Sequence, residues 1–293
     1  METFKQRSIE VSINIAEGQD GADEGTTITL TNFRIVAHIH YSGGSMQGKA
    51  LVRIFGLSES ELNRLTGTAQ AANEVRQNRI TIKAGDHGEV LPLIYDGTIR
   101  NGSVNFNEMP NAPLALQCQG NPWEAVAPFP PHDGRGAEKA QDIIAYLAKA
   151  NGYGFENHGV DVSLDNMNLK GTWLAQLQAV VEAAQIDISI ERGVIAIWNR
   201  GGARVYAPVE VSVETGMVGY PVFGARGIIV TTLLNPEFML GRLVHVKSEY
   251  QPACGYWTIL SHEMFIADET PDGQWFSVIE CGRFEKRNAG SGK

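Results

Sequence analysis

Short stretches in which apolar and polar residues alternate fill the first part of the chain and predict β-strands. The alternation includes residues 28–30, then residues 35–41, and again residues 50–54, as in strands that bury one face. Further strands are predicted at residues 79–83, 90–96, 102–107 and 113–119. Turn-forming pairs separate them, namely Gly85-Asp86, Asp96-Gly97, Asn101-Gly102 and Pro110-Asn111. Many short strands at this spacing predict a small barrel or a sandwich.

One short helix interrupts these strands, and the sequence marks where it begins. Ser58 and Glu61 have the spacing of a capping box, in which the serine hydroxyl and the glutamate carboxylate each accept a backbone amide at the helix start. Leu57 and Leu62 stand at the two positions of a hydrophobic staple. Residues 66–78 are rich in Ala, Gln and Asn and are predicted to form a loop at the rim of the barrel.

The middle of the chain has a different character. Residues 121–136 contain four prolines, which exclude regular structure and indicate a domain junction. Apolar residues then recur at helical spacing from Ala140 to a C-terminal cap at Asn151-Gly152, and again from a start near Thr172. Short strands are predicted at residues 159–164, 187–191 and 194–199, the last two joined by the turn Arg192-Gly193. These features predict a small α/β module.

Strand patterns return from residue 208 onward. Val209, Val211 and Val213 alternate with polar residues. Further strands are predicted at residues 227–233, 242–248, 256–266 and 275–282. This part of the chain therefore predicts a second small barrel, followed by a polar, flexible tail at residues 288–293.

Composition limits the classes of function. The length of 293 residues predicts two or three modules, and the net charge of −9 makes sequence-specific binding to nucleic acid a poor hypothesis. The three cysteines, Cys118, Cys254 and Cys281, form no CxxC pair, so we expect reduced, buried thiols rather than a zinc ribbon or disulfides. No apolar run approaches the roughly 20 residues that span a bilayer, and the polar residues 1–7 lack a signal core. We expect a protein that is made in the cytoplasm and stays there or leaves it within an assembly.

Catalytic and metal-binding chemistry has little support. His38 and His40 would point to one face of a strand and could bind a metal with His262, but a polar, solvated or subunit-facing surface is the favoured interpretation. A hydrolase would need two facing carboxylates, and nothing brings together Glu124, Asp133 and Glu138 near the junction. There is no GxSxG, HExxH or cysteine-nucleophile motif, and the glycines of residues 152–154 fit no nucleotide-binding loop. We therefore predict no enzyme activity and no catalytic, cofactor-binding or metal-ligating residue.

A receptor- or carbohydrate-binding tail module is a third class. Trp257, Trp275, Tyr250 and Tyr256 could form an aromatic platform. The alternation across residues 256–266 favours packing inside a barrel for some of them, and the predicted loops are short for a receptor binder.

Three segments resemble the baseplate hub proteins of contractile phage tails, the central tail hub family, which is related to the hub regions of contractile injection systems. The first is a strand ending in Gly56-Leu57-Ser58, a short helix, and a strand ending in Ala84-Gly85. The second is the order of helices and strands in residues 137–199, which is similar to the insert of those hubs. The third and most specific runs from Leu234-Asn235-Pro236 through residues 240–244, 255–259 and 272–275 to Cys281, and also includes His262.

The resemblance implies a β-rich α+β chain in which two tube-like antiparallel β-barrels, residues 1–121 and 208–287, flank a helical α/β insert at residues 122–207. It implies a homotrimer whose six barrels form a ring of near-sixfold symmetry. This ring would join a hexameric tail tube to a trimeric central spike and contact other baseplate proteins. DNA would pass through its lumen without specific binding. The chain would belong to the virion tail baseplate, be assembled in the host cytoplasm, and insert no segment into a membrane.

Overall fold

Strands account for most of the regular structure in the computed structural model, which describes residues 6–15, 26–70, 78–109, 111–120 and 122–284. The chain divides into two compact units. Unit 1 comprises residues 1–40, 48–121 and 263–277, and unit 2 comprises residues 41–47, 122–262 and 278–293. The division into residues 1–121, 122–207 and 208–287 stays a prediction, and the tail at residues 288–293 lies outside the described residues.

Unit 1 is built on an antiparallel sheet. Its strands are β1 (Arg7–Ile15), β2 (Thr26–Leu30), β3 (Ile35–Ser42), β4 (Lys49–Ile54), β5 (Arg79–Asp86), β6 (Leu93–Val104) and β7 (Leu114–Gln119). They lie in the order β3-β4-β7-β6-β5-β1-β2, and every neighbouring pair is antiparallel. One face is apolar and buried: the inward side chains of β1, for example, are at most 1% exposed.

The helix of unit 1 has the predicted start. α1 (Glu59–Gln70) follows Ser58, whose backbone amide donates to Glu61 Oε2 at 2.7 Å, while the Glu61 amide donates to Ser58 Oγ at 3.3 Å. The capping box is confirmed. Residues 66–70 are helical rather than part of the predicted loop, and residues 71–77 lie outside the described residues.

Two strand predictions in unit 1 were wrong. β1 was missed, although its apolar residues alternate regularly. Residues 90–96 and 102–107 were predicted as separate strands with turns at Asp96-Gly97 and Asn101-Gly102, but β6 runs through both pairs. Gly97 serves a close approach between strands rather than a turn, because a Cβ there would lie 2.7 Å from the carbonyl oxygen of Gln119 on β7.

Unit 2 begins with the α/β module and continues into further strands. The module contains β8 (His132–Asp133), β9 (Ala137–Lys139), α2 (Ala140–Ala150), β10 (Gly154–His158), β11 (Ser163–Asp165), β12 (Asn168–Leu169), α3 (Trp173–Ala184), β13 (Ile186–Glu191) and β14 (Val194–Asn199). The later strands are β15 (Val209–Val211), β16 (Val222–Phe223), β17 (Gly227–Leu233), β18 (Leu243–Val246), β19 (Gly255–Asp268) and β20 (Trp275–Arg283). β3, β19 and β20 contribute residues to both units.

Most predictions for the α/β module are confirmed. Asn151 caps α2, and the Thr172 hydroxyl accepts from the amide of Ala175 at the start of α3. β13 and β14 form an antiparallel hairpin whose turn residues, Arg192 and Gly193, both have positive φ angles. The strand predicted at residues 159–164 was wrong, because Gly159 has φ +89° and ends β10. β10 instead pairs in parallel with β14.

The later strands of unit 2 form an open sheet with the order β16-β17-β20-β19-β18-β15. β17 has the predicted bounds. Val213 does not continue β15: its side chain is 69% exposed, and the backbone turns at residues 212–216 through a hydrogen bond from the Thr215 amide to the carbonyl of Ser212.

The predicted barrels are not confirmed, because neither sheet closes through strand pairing. In unit 1 the strand order ends at β2, whose outer edge pairs with no strand among the described residues. β2 pairs with only part of β1, and side chains of unit 1 cover the remaining part of that strand. The Asp268 carboxylate accepts from the Ile9 amide at 2.8 Å, and the Arg7 guanidinium lies 5.3 Å from the ring centroid of Trp275.

A buried ion pair lies in the interior of unit 2. Arg204 Nη2 lies 2.9 Å from Glu191 Oε1, and the two side chains are only 2% and 3% exposed. The same carboxylate oxygen accepts from the Leu240 amide at 3.1 Å, and the Arg204 amide donates to the carbonyl of Gly241 at 2.7 Å. The pair therefore fastens β13 to the loop before β18.

Two of the three cysteines are buried, as the sequence predicted. Cys118 and Cys281 are buried, Cys254 is half-buried, and all three are free thiols. Burial raises the pKa of the Cys118 thiol to about 12, so it stays protonated. Within the described residues, no helix has the length and apolar character needed to cross a membrane.

Replacing Gly241 tests the packing of the loop before β18. A Cβ at this position would lie 2.5 Å from Trp198 Cζ2, with φ at +77°. We expect Gly241→Ala to lower the free energy of unfolding by about 2–4 kcal/mol. Gly201 is the matched control, since it has φ +71° with no described atom within 4 Å, and Gly201→Ala should cost about 1–2 kcal/mol. Equal losses in urea unfolding would contradict the packing role.

Breaking the buried ion pair should cost far more than breaking an exposed one. We expect Glu191→Ala to lower the free energy of unfolding by about 3 kcal/mol, because it leaves the buried Arg204 charge with only the partly exposed carboxylate of Glu156, 3.7 Å away. Glu280→Ala, which removes the partner of the exposed Arg226 guanidinium, should cost about 1 kcal/mol or less. Chemical denaturation of both variants measures the difference, and similar losses would show that Arg204 finds another partner.

Candidate interaction surface

The histidines considered as metal ligands lie on one strand of unit 1. His38 Nε2 lies 3.2 Å from Glu263 Oε2, and His40 Nε2 lies 3.9 Å from Glu263 Oε1. The His38 ring stacks on Phe265 with centroids 4.4 Å apart. In unit 2, His262 is fully buried and lies edge-on to Phe238. Among the described residues there is no group of three or more His, Cys, Asp or Glu side chains that could hold a metal ion.

The three carboxylates considered for hydrolysis have different partners. Glu124 is buried and accepts from the side-chain amide of Gln47. Asp133 lies 3.8 Å from Arg135 on the surface. Glu138 contacts His132 Nε2 at 2.7 Å. Each carboxylate therefore has a local structural contact of its own.

The aromatic platform does not form as a set. Trp257 and Trp275 are 6% and 5% exposed, and the Trp257 indole donates to the carbonyl of Ala253 at 2.9 Å. Tyr250 and Tyr256 are exposed, and Tyr256 stacks on His245 with centroids 4.5 Å apart. The tryptophans belong to the interiors of their units, which the strand alternation favoured for Trp257.

An exposed apolar strip lies at the β16 end of the sheet in unit 2. We call Val218, Tyr220, Val222, Ile229 and Leu233 the edge strip, and their side chains are between 37% and 63% exposed. Val222 pairs directly with Ile229, and the Val218 amide donates to the carbonyl of Thr231 at 2.8 Å. Because alternate residues of β17 share a face, Ile229 and Leu233 point to the same outer surface.

Local chemistry holds the edge strip in place. The Gly224 amide donates to the carbonyl of Gly227 at 2.8 Å and closes the turn between β16 and β17. Gly227 has φ +153°, and a Cβ there would lie 2.1 Å from the carbonyl oxygen of Cys281, so only glycine permits this approach of β17 to β20. Arg226 hydrogen bonds to both carboxylate oxygens of Glu280 and holds the pKa of that carboxyl below its usual value.

The edge strip carries no charge of its own. The eleven residues 215–225, between Glu214 and Arg226, include no Asp, Glu, Lys or Arg. The Tyr220 hydroxyl donates to Glu249 Oε2 at 3.0 Å, which raises the pKa of Tyr220 and keeps it protonated. Sequence reasoning missed this surface, although an uncharged run of this length in an acidic chain was a readable signal.

The free edge of unit 1 is also uncharged. Residues 25–33, between Glu24 and Arg34, contain no charged side chain, and Thr27 and Thr29 of β2 are exposed. Charged side chains protect two other exposed strand edges, those of β1 and β15. Asp268 reaches β1, and Glu210 on β15 forms an ion pair with Lys247. Natural sheets commonly place charges at free edges to prevent pairing with other chains. Within the part of the chain that the structure describes, the outer edges of β2 and β16 therefore have no strand partner.

Comparison with known proteins bears on what these edges do. A family model described as baseplate hub gp41 matches residues 8–270. A search of curated protein sequences finds no match.

Solved structures with a similar fold include tail proteins and a component of a secretion system. A tail protein from Neisseria meningitidis MC58 has a TM-score of 0.61 at 9% identity, over 95% of this chain and 97% of that one. The 43 kDa tail protein of prophage MuSo2 from Shewanella oneidensis has a TM-score of 0.57 at 10% identity, over 96% and 97%. The E. coli c3393 protein, a component of the type VI secretion system, has a TM-score of 0.55 at 11% identity, over 87% and 75%.

The resemblance to baseplate hubs that the sequence segments indicated is thereby confirmed. The match extends over most of the chain and includes described residues of both units. The chain belongs to the baseplate hub gp41 family and is a phage tail component.

Proposed function

We propose that this chain is the hub subunit of a tail baseplate and that three copies form a ring of near-sixfold symmetry. The ring joins a hexameric tail tube on one side to a trimeric central spike on the other, and contacts further baseplate proteins. DNA passes through its lumen without specific binding. The subunits assemble in the host cytoplasm. No covalent bond is made or broken, because positioning and symmetry matching are the activity.

The observation that carries this proposal is the pair of uncharged, open strand edges. β2 ends the sheet of unit 1 and β16 ends the sheet of unit 2. When β16 of one copy meets β2 of the next, two different surfaces are in contact, and repetition of such a contact produces a closed ring if the rotation closes. Pairing of this kind also satisfies backbone groups that a free edge leaves exposed.

The same contact between copies would complete the two barrels, which strand pairing within one chain leaves open. Each sheet is open where its uncharged edge strand lies. A strand from the neighbouring copy extends each sheet, so that the two tube-like barrels flanking the α/β insert form in the assembled ring.

The edge strip supplies part of the required contact area. From their exposed fractions, its five side chains present roughly 450 Å² of surface, which is about half of the ~800 Å² that each partner buries in a standard interface. An apolar patch of this size lies in the upper range for monomers, where such patches are often functional. Strand pairing and neighbouring polar residues supply the remainder.

A charge in the edge strip should prevent assembly without unfolding the subunit. The wild-type chain is expected to form a particle of three times its 31.9 kDa mass in light scattering after size exclusion. Val222→Glu places a carboxylate on a side chain that is 62% exposed, so the fold should persist. In the ring this carboxylate would be desolvated. We therefore expect the trimer to dissociate at protein concentrations at least tenfold higher than for the wild type.

Val90→Glu is the matched control. Val90 is 95% exposed and lies outside the edge strip, between β5 and β6. We expect this variant to assemble like wild type, and both variants to keep the wild-type circular dichroism spectrum. A wild-type chain that is monomeric at every concentration, or a Val222→Glu variant that assembles normally, would contradict the proposal.

A further inference from the structure

A shallow groove of about 410 Å³ crosses the exposed face of the sheet in unit 1. We call it the basic groove. Strand register arranges its side chains in two rows, one of His38, Leu51 and Gln117 and the other of His40, Lys49 and Gln119. Arg100 lies beside them, where the pairing of β6 with β7 is irregular. The face opposite carries the apolar core, so these side chains are not needed to hold the sheet together.

The two cations of the basic groove have no ion-pair partner among the described residues. Some exposed cations of unit 1 do, since Arg79 pairs with Asp96 and Lys83 pairs with Glu10, whereas Arg53 resembles the groove cations in having no ion pair among the described residues. Lys49 and Arg100 stay unpaired in a chain whose net charge is −9. The side-chain amides of Gln117 and Gln119 add further hydrogen-bond donors. This donor set complements an anionic oxygen group.

The rim of the basic groove shows that its histidines already bind a carboxylate. Glu263 lies 3.2 Å from His38 Nε2 and 3.9 Å from His40 Nε2, and Phe265 stacks on the His38 ring. A fixed negative charge at the rim disfavours a polyanion, whose closely spaced phosphates would be repelled. It permits an isolated carboxylate that lies nearer to Lys49 and Arg100.

An apolar contact lies at a fixed distance from the cation. Lys49 and Leu51 share one face of β4, and the Leu51 side chain is 54% exposed. Residues two apart in a strand are separated by about 6.6–6.8 Å, which is also the spacing of side chains i and i+2 in an extended peptide. A peptide with an acidic residue followed two positions later by an aliphatic residue therefore fits both contacts.

We propose that the basic groove binds an extended segment of another protein with the pattern acidic-x-aliphatic. The carboxylate lies between Lys49 and Arg100, the aliphatic side chain packs on Leu51, and the glutamine amides bind the peptide backbone. The groove is formed by one unit of one chain. It therefore gives the hub a docking site for an acidic tail component that is separate from the edge strip.

Fluorescence anisotropy with the full-length protein tests the proposal. The probe is a labelled peptide in which a single Glu-Ser-Val motif is flanked by serines, so that no second glutamate can reach Arg53. We expect saturable binding that weakens at least tenfold when glutamine replaces the glutamate, and about fivefold when the order becomes Glu-Val-Ser. Lys49→Gln should weaken binding about fivefold, the upper range for one exposed ion pair, and Lys49→Gln with Arg100→Gln about 20-fold.

Arg53→Gln provides the matched control. Arg53 is an exposed cation on the same face of β4, two residues beyond Leu51 and outside the groove lining. We expect less than a twofold change for this variant. Equal losses for Arg53→Gln and Lys49→Gln, tighter binding of a 20-base-pair DNA duplex than of the peptide, or no saturable binding at millimolar peptide would each overturn the proposal.

The outcome is independent of ring formation. The Val222→Glu subunit keeps the basic groove, so it should bind the peptide with wild-type affinity even when it does not assemble. Loss of assembly with intact peptide binding would count against the ring alone. Intact assembly without peptide binding would count against the groove alone.

Discussion

The last strand of an open sheet exposes a row of backbone N–H and C=O groups, and the account of this protein depends on how those groups are satisfied. Where the chain protects an edge, it does so with identifiable side chains: Asp268 accepts from the Ile9 amide of β1, and β15 carries Glu210 in an ion pair with Lys247. β2 and β16 have no such charge. An assembly protein has a physical reason to leave those two edges unprotected, since pairing with another copy both covers the edge and builds the particle.

A subunit that docks through preformed edges must be rigid before it docks. In unit 2, the Arg204–Glu191 pair is almost completely removed from water and is held further by the Leu240 and Arg204 backbone amides. A buried pair of this kind adds little net stability, but it penalises any other packing of the loop against β13, because a misplaced partner leaves a buried charge alone. The close approach of Gly241 to Trp198 likewise penalises any other packing of this loop. Both contacts favour one arrangement of the module.

Local sequence patterns predicted the elements better than their arrangement. The hairpin of β13 and β14, the bounds of β17 and the caps of α1 and α3 follow from alternation, turn residues and capping residues that act within a few positions. Gly97 was misassigned to a turn because a glycine needed for close strand contact has the same sequence signal as one that reverses the chain. Alternation also reports which face of a strand is buried, but not whether the last strand finds a partner, so the open sheets could not be predicted. For the candidate site, the uncharged run at residues 215–225 can be recognised in the sequence alone. The contact of Glu263 with His38 could not be predicted, because it joins strands whose residues are 225 positions apart.

Hydrogen–deuterium exchange at the two open edges tests the central claim most directly. Among residues 26–30 and 217–223, the amides that do not donate within the subunit should exchange slowly in the assembled wild-type ring and quickly in the Val222→Glu subunit, while the amides of β4 and β7 stay protected in both. Such a result would place the open edges in the contact between copies. Rapid exchange at both edges within an intact ring would contradict the account, because the subunits would then be held together by other surfaces.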